Sequence, residues 1–138
     1  MSGGAPAAPA AHLQTFLAFD FGTKRTGVAT GTRLLGTASP QPTIRAEGAG
    51  ARFDQVAERI REWQPDALVV GVPRHPDGAA HEMTERALRF ARQLRGRFGL
   101  PVFEVDERYS SVEAEMDGAH DTDAGAACII LEQFLRSL

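Results

Sequence analysis

Four apolar residues stand in a row at Phe16, Leu17, Ala18 and Phe19, and an acid, Asp20, follows directly before Phe21. A strand with one face in water alternates apolar and polar residues. A strand that is apolar at consecutive positions must be covered on both faces. "ALVVGV", Ala67 to Val72, has the same character. A sheet with such inner strands needs a layer on each side, and helices supply that layer. The chain's 138 residues are enough for one domain of this kind with its own core.

The remaining sequence provides the other elements. "RTGVATG" reads as a second strand, and Gly31-Thr32 turns the chain into a third around Arg33 to Ser39, which Pro40 and Pro42 end. Three strands in series predict an antiparallel meander. The hydrophobic period then becomes helical. Phe53, Val56, Ala57, Ile60 and Trp63 form one stripe, stopped by Pro65, with Trp63 expected in the core. Met83, Ala87, Phe90, Ala91, Leu94 and Phe98 form another, ended by Gly99. "PVFEV" is a fifth strand that runs into "DERYSS". A short helix follows, where Ser110 and Glu113 fit a capping box, and Asp123 opens a last helix reaching Leu138. Strands separated by helices pair in parallel through right-handed crossovers. The expected fold is therefore α/β: a mixed five-stranded sheet, a three-strand antiparallel meander plus parallel strands, covered by helices. It takes in residues 15–138, and residues 1–14, rich in Ala, Pro and Gly, read as a disordered tail.

Composition narrows the possible roles. Net charge is −3, so nothing pulls the whole chain toward nucleic acid or anionic membranes, and any such contact must be local. The single cysteine, Cys128, excludes an intramolecular disulfide and a cysteine-based zinc cluster, and its apolar surroundings predict a buried core residue. No run approaches the ~20 apolar residues of a membrane span. The first residues lack the pattern of a signal peptide, so the expected location is the cytoplasm.

Asp20 is the costly residue. A carboxylate in a buried strand must be protonated, paired or bound to a cation. Lys24 and Arg25 are nearby candidate partners, while Gly22 and Gly27 let other backbone come close. Asp106 and Glu107 stand past the end of the fifth strand, and Asp123 stands at the start of the last helix, where it would also complement the helix dipole. In sheets of this kind, ligands bind beyond the carboxyl ends of the strands. Asp20, Asp106 or Glu107, and Asp123 are therefore expected at one sheet edge. Three carboxylates suit a hard divalent cation, and such ions hydrolyse phosphodiesters. Arg25, Arg74 and Arg108 flank these acids in sequence and are suited to gripping phosphate. The arginines of the second long helix read first as a solvated face, with phosphate tracking as the alternative.

"FDFGTKRTGVATG", "ALVVGVPRHPDG", "VDERYSS" and "TDAGAACIILEQFL" occur in the order seen in the YqgF family, also called RuvX, and the chain resembles that family from about residue 16 to 138. The resemblance implies an RNase H-like fold and a nuclease dependent on Mg²⁺ or Mn²⁺, with one or two ions. It implies Asp20, Glu107 and Asp123 as catalytic, metal-holding acids and Lys24, Arg25, Arg74 and Arg108 as substrate contacts. It also implies a nucleic-acid partner: pre-16S rRNA processed at its 5′ end, or branched DNA at a Holliday junction. The segment "VEAEMDGAHD" between the D-E-R motif and Asp123 is shorter and more acidic than in relatives and removes a phosphate-binding flap. Two other readings stay open. "DFGTK" also resembles the phosphate loop of actin-like ATPases and sugar kinases, and the acidic balance allows a non-catalytic RNA- or ribosome-binding module. Monomer and homodimer are both compatible with the sequence.

Overall fold

The computed structural model describes residues 11–75, 77, 79, 82–106 and 122–138. Their elements in chain order are β1 (Thr15–Asp20), β2 (Arg25–Thr32), β3 (Ala38–Arg45), α1 (Ala49–Trp63), β4 (Ala67–Val72), α2 (Thr84–Phe98), β5 (Val102–Asp106) and α3 (Thr122–Arg136). The strands form one sheet in the order β3-β2-β1-β4-β5. β2 runs antiparallel to β1 and β3, while β4 runs parallel to β1 and β5. The expected mixed sheet and its meander are thus present. The short helix expected after β5 falls outside the described residues.

The apolar row at the start of β1 is covered as its pattern requires. Leu17 and Phe19 point to one face, where they join Val28, Leu68 and Val70 beneath Phe53, Val56, Phe90 and Leu94 of α1 and α2. Phe16 and Ala18 point to the other, where they join Ala29 and Val69 beneath Ala127, Ile130, Leu131 and Phe134 of α3. Leu17, Ala18, Phe19, Val28 and Val69 have no exposed surface. Asp20 continues the alternation of Phe16 and Ala18, so it lies on the α3 face.

Three sequence expectations need correction. The third strand is not Arg33 to Ser39; it begins at Ala38 and passes through Pro40 and Pro42. β3 is an outer strand, and its register slips so that Pro42 and Thr43 oppose Gly27 alone between the Thr26–Ile44 and Val28–Gln41 pairs. An edge with a bulge accepts residues that lack an N–H. Trp63 is 41% exposed at the last turn of α1 and lines a small apolar cleft with Leu35 and Pro65. Cys128 is half-buried, not buried, and burial together with the Glu132 charge pushes its thiol up to about 11. It therefore stays protonated and unreactive near neutral pH.

Polar contacts fix the frame at its margins. Gln64 closes α1 in the left-handed conformation (φ 45°) and donates its N–H to the Ile60 carbonyl, and Pro65 prevents further turns. The buried Thr84 hydroxyl donates to the Pro73 carbonyl and ties the start of α2 to the end of β4. On the outer edge of β5, Arg95 Nη2 donates to the Val102 carbonyl (2.8 Å) and Gln133 Nε2 to the Asp106 carbonyl (3.3 Å). One cap comes from α2 and the other from α3, and together they blunt an edge open to strand pairing. No helix among the described residues is long and apolar enough to cross a membrane.

Asp66 ties down the start of the domain. Its Oδ2 accepts the N–H groups of Gln14 (2.8 Å) and Thr15 (3.0 Å), and the adjacent Leu13 is buried in the α3-side core. These backbone donors hold the carboxyl below its ordinary range. A depressed folded value means that the contribution is complete above the usual Asp range near pH 4 and is lost as pH falls through the folded value. Asp66→Ala should cost about 1 kcal/mol at pH 7, and less in acid. Urea denaturation of both proteins between pH 7 and pH 3 measures this. A cost that stays constant over the range would contradict the assignment.

Candidate active site

Asp20 ends β1 and pairs directly with Gly27 on β2. Gly27 lies under the start of α3. A Cβ placed on it would sit 1.9 Å from the Asp123 carbonyl oxygen and 3.2 Å from the Ala124 nitrogen. Only glycine lets the helix backbone come this close. Further along the same face of β2, a Cβ on Gly31 would meet the Leu131 side chain at 3.0 Å. Gly27, Ala29 and Gly31 thus form a nearly bare track on β2, and α3 rests on it. Asp20 and Asp123 are in this way brought to the same residue, Gly27, from two different elements.

Both acids are half-buried. Asp123 occupies the first turn of α3, where the helix dipole favours negative charge. Its Oδ2 lies 3.3 Å from Arg25 Nε, with side-chain exposures of 27% and 56%. Arg25, which the sequence offered as a partner for Asp20, therefore pairs with Asp123, an acid distant in sequence. A partly exposed pair of this kind contributes little to stability, about 0–1 kcal/mol.

The loop between β1 and β2 is braced from the opposite side of the sheet. Arg52 of α1 is only 6% exposed. Its Nη2 donates to the carbonyls of Gly22 (3.1 Å), Thr23 (2.5 Å) and Ala46 (3.3 Å), and its guanidinium lies 4.7 Å from the centre of the Phe21 ring. Burial lowers its pKa, but not its role as a donor. Gly22 is forced here, because a Cβ would stand 2.3 Å from the Arg25 carbonyl oxygen. Sequence reading missed Arg52. The available signal was an arginine four residues before Val56, on the apolar stripe of α1.

The other predicted residues are distributed as follows. Lys24 is exposed and, with Thr23, Arg25, Arg45, Ala46 and Glu47, lines an open groove of about 700 Å³. Arg74 follows β4 and lines a depression of about 120 Å³ with Leu88, Glu104 and Asp106. It shares the sheet edge with Asp20 but not the α3 face. Asp106 is the last residue of β5 rather than a loop residue, and it shares the face of Glu104, which meets α2 through Arg95 (3.2 Å). Glu107 and Arg108 lie outside the described residues, as does the link "VEAEMDGAHD".

The donor set fits a hard divalent cation. Mg²⁺ takes one or two carboxylates from a protein when water and substrate phosphate complete its shell, and Asp20 and Asp123 stand on rigid elements whose backbones meet at Gly27. Among the described residues no third acid, histidine or cysteine joins them.

Comparison with known proteins identifies the family and the fold. The sequence profile described as "RuvX: Holliday junction resolvase" matches residues 14–137. A protein of Albidiferax ferrireducens named "Putative pre-16S rRNA nuclease" is 71% identical over 133 residues, covering 96% of this chain and 85% of its own. One of the same name from Burkholderia mallei is 56% identical over 130 residues, covering 90% and 89%. Among solved structures, Thermus thermophilus RuvC in complex with a Holliday junction substrate superposes with a TM-score of 0.56 at 14% identity, covering 90% of this chain and 94% of that one. A second Thermus thermophilus RuvC structure gives 0.51 at 13% identity, covering 89% and 95%. At such identities the likeness shows the fold alone, and the fold is RNase H-like.

Gly27→Ala should force α3 off its track and cost about 3 kcal/mol, as overpacking does. Gly96→Ala, inside α2 and with nothing within 4 Å of its Cβ, serves as the control and should not lower stability. Thermal unfolding of the two variants decides. Equal melting temperatures would show that the helix does not rest on Gly27.

Proposed function

The chain belongs to the RuvX Holliday junction resolvase family, and from that premise we propose that it is a divalent-metal-dependent endonuclease that trims the 5′ end of pre-16S rRNA in the cytoplasm. The observation that carries the metal-dependent part is the convergence of Asp20 and Asp123 on Gly27. The names of the relatives at 71% and 56% identity favour RNA as the substrate. The family's description favours a four-way DNA junction, which is the competing substrate.

In this reading Asp20 and Asp123 hold Mg²⁺ or Mn²⁺, with Glu107, the residue after β5, as the proposed third donor. When bound, the cation activates a water and offsets charge on the scissile phosphate. The protein's own part is to aim the donors. β1 is immobilised by cover on both faces, so Asp20 has a fixed direction. α3 is immobilised on β2, so Asp123 has one too. Lys24 and Arg25 extend from the braced β1–β2 loop and hold the substrate backbone, with Arg74 and Arg108 as further proposed contacts. Arg25 pairs with Asp123, and a phosphate arriving with the metal gives Arg25 a second anion to meet.

Asp20→Asn should keep the fold and lower cleavage by about a hundredfold or more, because it removes one charged donor. The assay uses purified protein with Mg²⁺ or Mn²⁺ on a pre-16S-like RNA and on a four-way DNA junction. RNA cleavage that depends on Asp20 supports the reading. Junction cleavage alone transfers it to DNA, and equal cleavage by both proteins removes Asp20 from the chemistry. Millimolar Mg²⁺ should also raise the melting temperature of the unsubstituted protein more than that of Asp20→Asn.

A further inference from the structure

Arg25 and Arg45 are directly opposed in the register of β2 and β3. Directly opposed side chains share a face, and like charges in that position repel. Arg25 has Asp123 as its counter-ion. Among the described residues Arg45 and Lys24 form no ion pair, although Glu47 lines the same groove. Three cations therefore line an open groove beside two carboxylates, Glu47 in its lining and Asp123 paired with Arg25, in a chain whose overall charge is −3. A fold that gathers positive charge against its net balance has a site for an anion.

The groove is also built rigidly. Arg52 holds both walls, through the Gly22 and Thr23 carbonyls on one side and the Ala46 carbonyl on the other. The Ala46 N–H donates to the Lys24 carbonyl (3.0 Å), and Gln55 Nε2 donates to the Arg45 carbonyl (3.0 Å). Arg25 borders both this groove and the carboxylate site, so the two are continuous. Three of the arginines of α2 compete poorly for the same role. Arg92 pairs with Glu85, Arg95 with Glu104, and Arg97 lies over the Phe53 ring.

We infer that the groove lined by Lys24, Arg25 and Arg45 binds a phosphate of the substrate backbone beyond the scissile one, with Arg45 its specific contact. The inference rests on the nuclease reading above and deepens it by assigning a track for the strand, leading from the carboxylates across β2 to β3. Phosphate contacts of this kind position a strand without reading its bases.

The test is fluorescence anisotropy in an Asp20→Asn background, which leaves the strand uncut. The probes are a labelled RNA hairpin with a single-stranded 5′ extension and a labelled four-way DNA junction. Arg45→Gln should weaken binding about 5- to 10-fold near 0.1 M salt and reduce the log–log salt slope by about 1. Arg45→Lys should restore most of the affinity, and Arg61→Gln, at the far end of α1, should change neither quantity. Because Arg45 is exposed, the fold should persist, and at low salt Arg45→Gln should melt no lower than its parent, since a like-charge pair is removed. Unchanged affinity and slope in Arg45→Gln, with cleavage by the unsubstituted protein intact, would overturn the groove and leave the nuclease reading standing. No binding of either probe by the parent would overturn both.

Discussion

The approach of α3 to β2 at Gly27 is the contact on which the rest of the site depends. Backbone meets backbone there, without a side chain between them. That closeness puts the first turn of α3 beside the strand that pairs with Asp20, and it fixes Asp123 relative to Asp20 through one residue. The same face of β2 stays small at Ala29 and Gly31, so the helix can remain close along its length. Opposite Gly27, β3 bulges at Pro42 and Thr43, and this adapts the outer strand to the same point.

The two sides of the sheet have different tasks. The α3 side carries the acids and the Arg25–Asp123 pair. The α1–α2 side carries the larger core, with Phe90 in contact with the Phe19, Phe21 and Phe53 rings. Arg52 extends from that core to the loop between β1 and β2. The loop is consequently held by donors from α1 and carries cations toward α3. Preorganisation of this sort lets charged groups act without first being ordered.

Much of this was legible in the sequence, and for physical reasons. Consecutive apolar residues in Phe16 to Phe19 and Ala67 to Val72 required cover on both faces, and the fold supplies it. Gly27 read correctly as a place for close backbone approach, but the approaching segment was out of reach, because it lies about a hundred residues away in sequence. Pro40 and Pro42 misled because strand-breaking applies to inner strands, whereas β3 is an outer one. Trp63 fits the helical stripe of α1, but it sits in the last turn, beyond the cover of the sheet. Asp66 escaped notice because it acts on backbone groups distant in sequence, and the place of Arg52 on the stripe of α1 marks it as covered without naming the Gly22 and Thr23 carbonyls it meets. Asp20 and the backbone of Asp123 both adjoin Gly27, while Glu107 and Arg108 fall outside the described residues.

The central claim is that Asp20 and Asp123 form one cation site over Gly27. Titration of the ¹⁵N-labelled protein with Mn²⁺ well below one equivalent tests it directly, because the ion broadens only nearby amide resonances. The account predicts that the Asp20, Gly27 and Asp123 amides broaden first and together, and that Asp123→Asn suppresses the effect at all three positions. Broadening centred elsewhere, or broadening of the Asp20 amide that is indifferent to Asp123, would contradict it.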